Sequence, residues 1–137
     1  EAAGEANLAG KVLIDVANPL EFSAGFPPTL LVKDTDSLAE QLQRRFPSAR
    51  VVKTLHTVTA DVMAHPDLLA GPHTLFVCGD DAGAKQAAVG LLGELGHADV
   101  LDLGPLSAAR GTEMFLPLWL RIMGALDTPV FGIKVVR

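Results

Sequence analysis

The apolar positions of the chain follow two rhythms. Short apolar runs occur at residues 12–17 (broken only by Asp15) and 74–78, and residues 50–55 read as a further strand. Each predicts a strand, the one at 74–78 covered on both faces. Between them the spacing changes. Ser37 with Glu40 three residues on is a capping-box pattern, and Leu38, Leu42 and Phe46 then share one face of a helix that Pro47 ends. Thr59 predicts the start of a short helix running to about His65. After Asp80 or Asp81, which are read as caps, Ala84, Ala87, Ala88, Leu91, Leu92 and Leu95 form an apolar stripe closed by Gly96 in a left-handed cap. Residues 99–103 alternate, as in a half-exposed strand. Residues 106–126 predict a long helical stretch kinked near Pro117, and residues 130–136 a last strand.

This alternation of strand and helix predicts an α/β fold with a mostly parallel sheet and right-handed crossovers. Residues 18–36, with Pro19, Gly25, Pro27 and Pro28, form a loop long enough to be functional or mobile. Nearly half the residues are hydrophobic but only 5% are aromatic, which suits a sheet packed by helices. The net charge of -5 is scattered, without a basic stripe, and argues against nucleic acid as a partner. The longest apolar stretch is interrupted by Pro117 and Arg121 and is too short to cross a bilayer. The single cysteine, Cys78, sits in an apolar run and reads as a buried, inert thiol, consistent with a reducing, cytoplasmic setting. His65, His73 and His97 lie in separate turns without ligand spacing, so no metal site is expected.

A self-contained dinucleotide-binding domain needs a strand running into G-x-G-x-x-G at a helix N-terminus. No such run occurs. Gly79-Asp80-Asp81-Ala82-Gly83 would set two carboxylates where phosphate sits, and Gly90-Leu91-Leu92-Gly93 lies within a helix. The chain opens at Glu1 without Met and enters a strand almost at once, the pattern expected of a cut inside a longer protein. It is expected to bind a dinucleotide only feebly on its own.

Three ordered segments carry a family resemblance. They are Lys11-Val12-Leu13-Ile14-Asp15-Val16-Ala17-Asn18-Pro19-Leu20, then Val51-Val52-Lys53-Thr54-Leu55-His56-Thr57. The third extends from Val77-Cys78-Gly79-Asp80-Asp81 through Leu103-Gly104-Pro105-Leu106-Ser107-Ala108-Ala109-Arg110 to Leu116-Pro117-Leu118. Together they resemble the coenzyme F420-dependent NADP oxidoreductases and, more distantly, the cytoplasmic domain of the STEAP-type metalloreductases. The resemblance implies that residues 1–60 are the second half of a Rossmann-like NADP-binding domain and 61–137 a small C-terminal α/β domain. It implies hydride transfer between NADP(H) and coenzyme F420 or a flavin, in a homodimer. The cofactors would carry the reactivity and the protein would supply proximity and orientation.

On that resemblance His56, at a strand end, contacts the deazaflavin; read alone, it is equally a hydrogen-bonded histidine beneath a loop. Asn18, Pro19 and Leu20 are either a plain turn or part of the zone between nicotinamide and flavin, and Thr57 is a cap or a cofactor contact. Met114, Pro117 and Leu118 are either an apolar wall for the deazaflavin ring or core and interface packing, and Trp119 is read as packing. Two other classes stay open: a non-catalytic Rossmann-like remnant serving dimerisation or binding, and a reductase of flavin or ferric iron.

Overall fold

The computed structural model describes residues 3–137. A single helical turn, α1 (Glu5–Leu8), leads into strand β1 (Val12–Asp15). The long loop that follows contains a small hairpin, β2 (Leu20–Glu21) and β3 (Thr29–Leu30). Helix α2 (Leu38–Arg45) and strand β4 (Arg50–Lys53) complete the first crossover. A short helix, α3 (Ala60–Ala64), precedes β5 (Leu75–Gly79), α4 (Ala82–Glu94) and β6 (Val100–Asp102). Two further helices, α5 (Ala109–Met114) and α6 (Leu116–Leu126), end the regular structure.

The main sheet has the order β1-β4-β5-β6. Two of its pairings are parallel, β1 with β4 and β5 with β6, so the expected α/β character holds. The central pairing is antiparallel, with Val52 opposite Gly79 and Lys53 opposite Cys78. Hydrophobic rhythm carries no strand direction, so this reversal was invisible in the sequence. The approach is close: a Cβ on Gly79 would lie 3.0 Å from the Val51 carbonyl oxygen. The core lies on both faces of these strands. Ala39, Val51, Cys78, Leu106 and Ala109 fill one cluster, and Val52, Val77, Ala84 and Ala88 another.

Local signals explain most of the helix ends. Ser37 Oγ accepts the Glu40 amide at 3.1 Å and donates to the Glu40 carboxylate at 2.7 Å. That carboxylate also takes a bidentate pair from Arg110, at 2.9 and 2.6 Å, pinning α2 to α5. Asp81 caps α4 by accepting from the Ala84 amide, whereas Asp80 accepts from Leu106 and ties the turn before α5 to the end of β5. Gly96, at φ 95°, closes α4 with bonds from His97 N to Leu92 O and from Gly96 N to Gly93 O. The break between α5 and α6 falls at Phe115, two residues before Pro117.

Two expectations need correction. The stripe on α4 is narrower than predicted: Ala84, Ala88 and Leu92 are buried, while Ala87 and Leu91 are exposed, because one helix covers so small a sheet along a single seam. Residues 130–136 form no strand. They run extended beside the start of β5, where Thr74 N donates to Ile133 O, and Asp99 anchors Lys134 and Arg137. His73 and His97, distant in sequence, meet with ring nitrogens 2.9 Å apart.

Candidate functional site

Strands β1 and β4 are parallel and end together, with Asp15 opposite Lys53. In sheets of this kind the loops beyond the carboxyl ends of the strands hold ligands. From β1 the chain continues through Asn18, Pro19 and Leu20, and from β4 through Thr54, Leu55, His56 and Thr57. The Asn18 side-chain amide donates to the His56 carbonyl at 3.0 Å, stitching the two loops together. Pro19 is buried and its carbonyl accepts from Leu31, which anchors the hairpin to the same corner.

The turn that presents His56 is strained. Leu55 has φ 65°, a left-handed conformation costing about 1–2 kcal/mol for a residue with a Cβ. Three contacts hold it there. His56 N donates to Thr54 O at 2.8 Å, Val58 N donates to Leu55 O at 3.1 Å, and the Leu55 side chain packs with Val58, Val62, Leu75 and Leu92. The Thr54 hydroxyl reaches across to Phe76 O on β5. Strain of this sort, kept in place by its surroundings, is characteristic of functional corners.

The His56 side chain is buried, and neither ring nitrogen has a hydrogen-bond partner within the chain. Asn18 Oδ1 is likewise enclosed and unpartnered. Each such atom costs about 1–3 kcal/mol if nothing satisfies it. Three of them on two stitched loops make a ready set of one donor and two acceptors. Burial, with the nearby Lys53 charge adding to it, lowers the His56 pKa to about 3; the carbonyls of Thr54 and Thr112, near the ring but outside hydrogen-bond geometry, push the other way. The imidazole is therefore neutral near pH 7, with one nitrogen donating and one accepting.

Beneath this corner lies a buried ion cluster that sequence reading missed. Lys53 Nζ contacts Asp15 Oδ2 at 2.8 Å and Glu113 Oε1 at 3.0 Å, and it donates to the Ala17 carbonyl. Glu113, on α5, also accepts from the Leu38 and Ala39 amides at 2.8 and 3.2 Å. Its carboxylate thus satisfies the first two orphan N–H groups of α2 and meets the positive end of that helix. A signal for the cluster was present: Asp15 and Lys53 each interrupt an apolar strand, with opposite sign. Their equal distance from the strand ends becomes visible only once β1 and β4 are paired in register.

The structure brings Asn18, Pro19, Leu20, His56 and Thr57 to one corner. Met114, exposed at the end of α5, is tied to the loop before α2, its Sδ accepting from Asp34 N at 3.4 Å. Pro117 and Leu118 open the next helix and are exposed, with no hydrogen bond to the corner. Trp119 stacks on Phe131, ring centroids 5.0 Å apart, in keeping with packing. Burial raises the Cys78 pKa to about 12, leaving an unreactive thiol. Two clefts, of about 380 and 370 Å³, lie elsewhere, one beside His73 and Asp99 and one beside His73 and Phe131. Among the described residues no group of three or more His, Cys, Asp or Glu side chains is placed to hold a metal, and no helix is long and apolar enough to cross a membrane.

No protein-family model matches the chain. A crystal structure of a candidate F420-dependent NADP reductase from Arthrobacter sp. FB24 is similar over 99% of this chain and 62% of its own, at 56% identity and TM-score 0.97. The F420-dependent NADP reductase of Methanocaldococcus jannaschii is 28% identical over 131 residues, which are 95% of this chain and 58% of that protein. The rat metalloreductase STEAP3 is 33% identical over 120 residues, 82% of this chain and 22% of that protein. The chain therefore spans about a fifth to three-fifths of the length of these relatives. A hypothetical protein from Sinorhizobium meliloti, 23% identical with TM-score 0.62, shares the fold.

Proposed function

We propose, for a chain that belongs to the coenzyme F420-dependent NADP oxidoreductase family, that it forms the part of such a reductase that receives the deazaflavin. The full protein would pass hydride between NADP(H) and coenzyme F420. The observation that carries this reading is the orphaned set at the corner, His56 Nδ1 and Nε2 with Asn18 Oδ1. A deazaflavin presents a pyrimidinedione edge on which carbonyl oxygens flank an N–H, and a neutral imidazole beside a carboxamide oxygen complements such an edge. A donor placed on a ring carbonyl gains strength as charge develops there during reduction. On this reading Pro19 and Leu20, with Met114, Pro117 and Leu118 from α5 and α6, would supply the apolar wall that orients a ring and excludes water; the last three are exposed.

The phosphates of NADP fall to a region of the longer relatives that this chain does not span, since no phosphate-cradling glycine loop occurs here. On this reading residues 1–60 complete a Rossmann-like sheet, 61–137 build the smaller domain, and the protein works as a homodimer in the cytoplasm. The exposed Phe22, Phe26 and Leu31 on the hairpin give it apolar surface for association. The test is a spectrophotometric assay of the full-length protein with NADPH and coenzyme F420. Loss of deazaflavin absorbance at a rate exceeding that with flavin or a ferric chelate supports the reading. Reduction of only flavin or ferric iron transfers the assignment to the metalloreductase branch of the resemblance.

A further inference from the structure

The buried cluster of Asp15, Lys53 and Glu113 touches the corner without being part of its open surface. Lys53 has three ammonium protons and three acceptors: Asp15 Oδ2, Glu113 Oε1 and the Ala17 carbonyl. No donor is left for a ligand, and the side chain is wholly enclosed. Lys53 is thus neither a phosphate binder nor a nucleophile.

What its bonds do hold is the backbone leading to Asn18. The Ala17 amide donates to Asp15 Oδ1 at 3.0 Å, while the Ala17 carbonyl accepts from Lys53. Both polar groups of residue 17 are fixed, and the next residue is Asn18, whose side chain in turn holds the His56 carbonyl. Through Glu113 the same ammonium is tied to α5 and to the first turn of α2. Four elements, β1, β4, α2 and α5, therefore converge on one nitrogen. Stability alone does not account for the choice of charge, because well-packed apolar residues in place of a buried ion network are often as stable or more so. Directional bonds, by contrast, fix geometry in a way that apolar packing does not.

We infer that Lys53 is a positioning residue, which through the Ala17 carbonyl sets the direction of the Asn18 carboxamide and hence of the His56 loop. This rests on the reading that Asn18 and His56 face the cofactor. The same positive charge also opposes protonation of the His56 ring, in line with its depressed pKa.

The test uses the full-length protein and steady-state kinetics with coenzyme F420 and NADPH. Lys53→Met alone strands two buried carboxylates, so the deciding variant is Asp15→Asn, Lys53→Met and Glu113→Gln combined. Its amides keep an acceptor for Ala17 N and for one of the two α2 amides, while the cation is gone and no carboxylate is left stranded. The expected result is a fall in kcat/KM for F420 of about tenfold to a hundredfold, the scale of an ångström-level misplacement. The KM for NADPH should stay within about twofold and the urea midpoint near wild type, the pattern of lost geometry without lost fold. Adding Asn18→Ala should then cost little more, since the two changes remove one interaction. Wild-type F420 kinetics in the folded triple variant, or losses that add in full with Asn18→Ala, would overturn the inference. His56→Ala in parallel separates the two claims: if that variant also keeps wild-type F420 kinetics, the site reading itself has failed.

Discussion

Acidification should destabilise this protein through His56 well before its carboxylates titrate. The ring has an ordinary pKa near 6.5 and a folded value of about 3, so between those limits the unfolded state binds more protons than the folded one. Stability then rises with pH across that window, is complete above about pH 6.5, and is lost as pH falls toward 3. At about 1.4 kcal/mol per pH unit, a drop from pH 7 to 5 removes about 2 kcal/mol through this one residue. That is a large share of a total stability of about 5–15 kcal/mol. His73 is shifted the same way, by burial and then by the neighbouring His97, so the wild-type slope contains both. The clean comparison is wild type against His56→Asn, by urea unfolding at pH 5 and pH 7 with Trp119 fluorescence as the probe; Trp119 is the one tryptophan. The wild type should lose about 2 kcal/mol more than the variant between the two pH values. Equal losses would mean that the ring is hydrated or partnered, and the argument for an orphaned neutral imidazole would fall with it.

Three other perturbations have defined outcomes. Gly132→Ala sets a Cβ 2.7 Å from His73 Cβ and 2.9 Å from Leu69 Cδ1, and should cost about 1–3 kcal/mol in a urea melt while loosening the C-terminal segment in hydrogen exchange. Ser37→Ala removes the acceptor of the Glu40 amide and should lower stability by about 1 kcal/mol, but not more, since Glu113 still satisfies Leu38 and Ala39. Cys78, enclosed and with its pKa pushed to about 12, should react with a thiol reagent only as fast as the protein unfolds; rapid labelling of the native state would contradict its burial.

The alternation of elements could be read from the chain because each strand and helix carries its own local rhythm. Ser37 with Glu40 marked the start of α2, and Gly96 the end of α4, because capping depends on residues three or four apart. Direction and partnership were out of reach. The link from β4 to β5, residues 54–74, contains the five-residue α3 and a 3-10 turn at Pro66–Leu68, and nothing in its composition says that it returns the chain antiparallel. The β2–β3 hairpin has two residues per strand, too few for alternation to show. At the site, His56 and Asn18 were found through the family likeness, and the structure adds that they touch and that their polar atoms are unpaired. The Asp15–Lys53–Glu113 cluster joins residues 38 and 60 positions apart, a separation at which charge pairing leaves no mark in local pattern.

The most direct measurement of the central claim is the affinity of the full-length protein for coenzyme F420, wild type against His56→Ala and Asn18→Ala, by titration calorimetry in the absence of NADP. Each lost hydrogen bond should cost about 0.5–1.5 kcal/mol, so each variant should bind F420 roughly two- to tenfold more weakly while its affinity for NADP is unchanged. If both variants bind F420 as tightly as wild type, the deazaflavin does not rest on this corner.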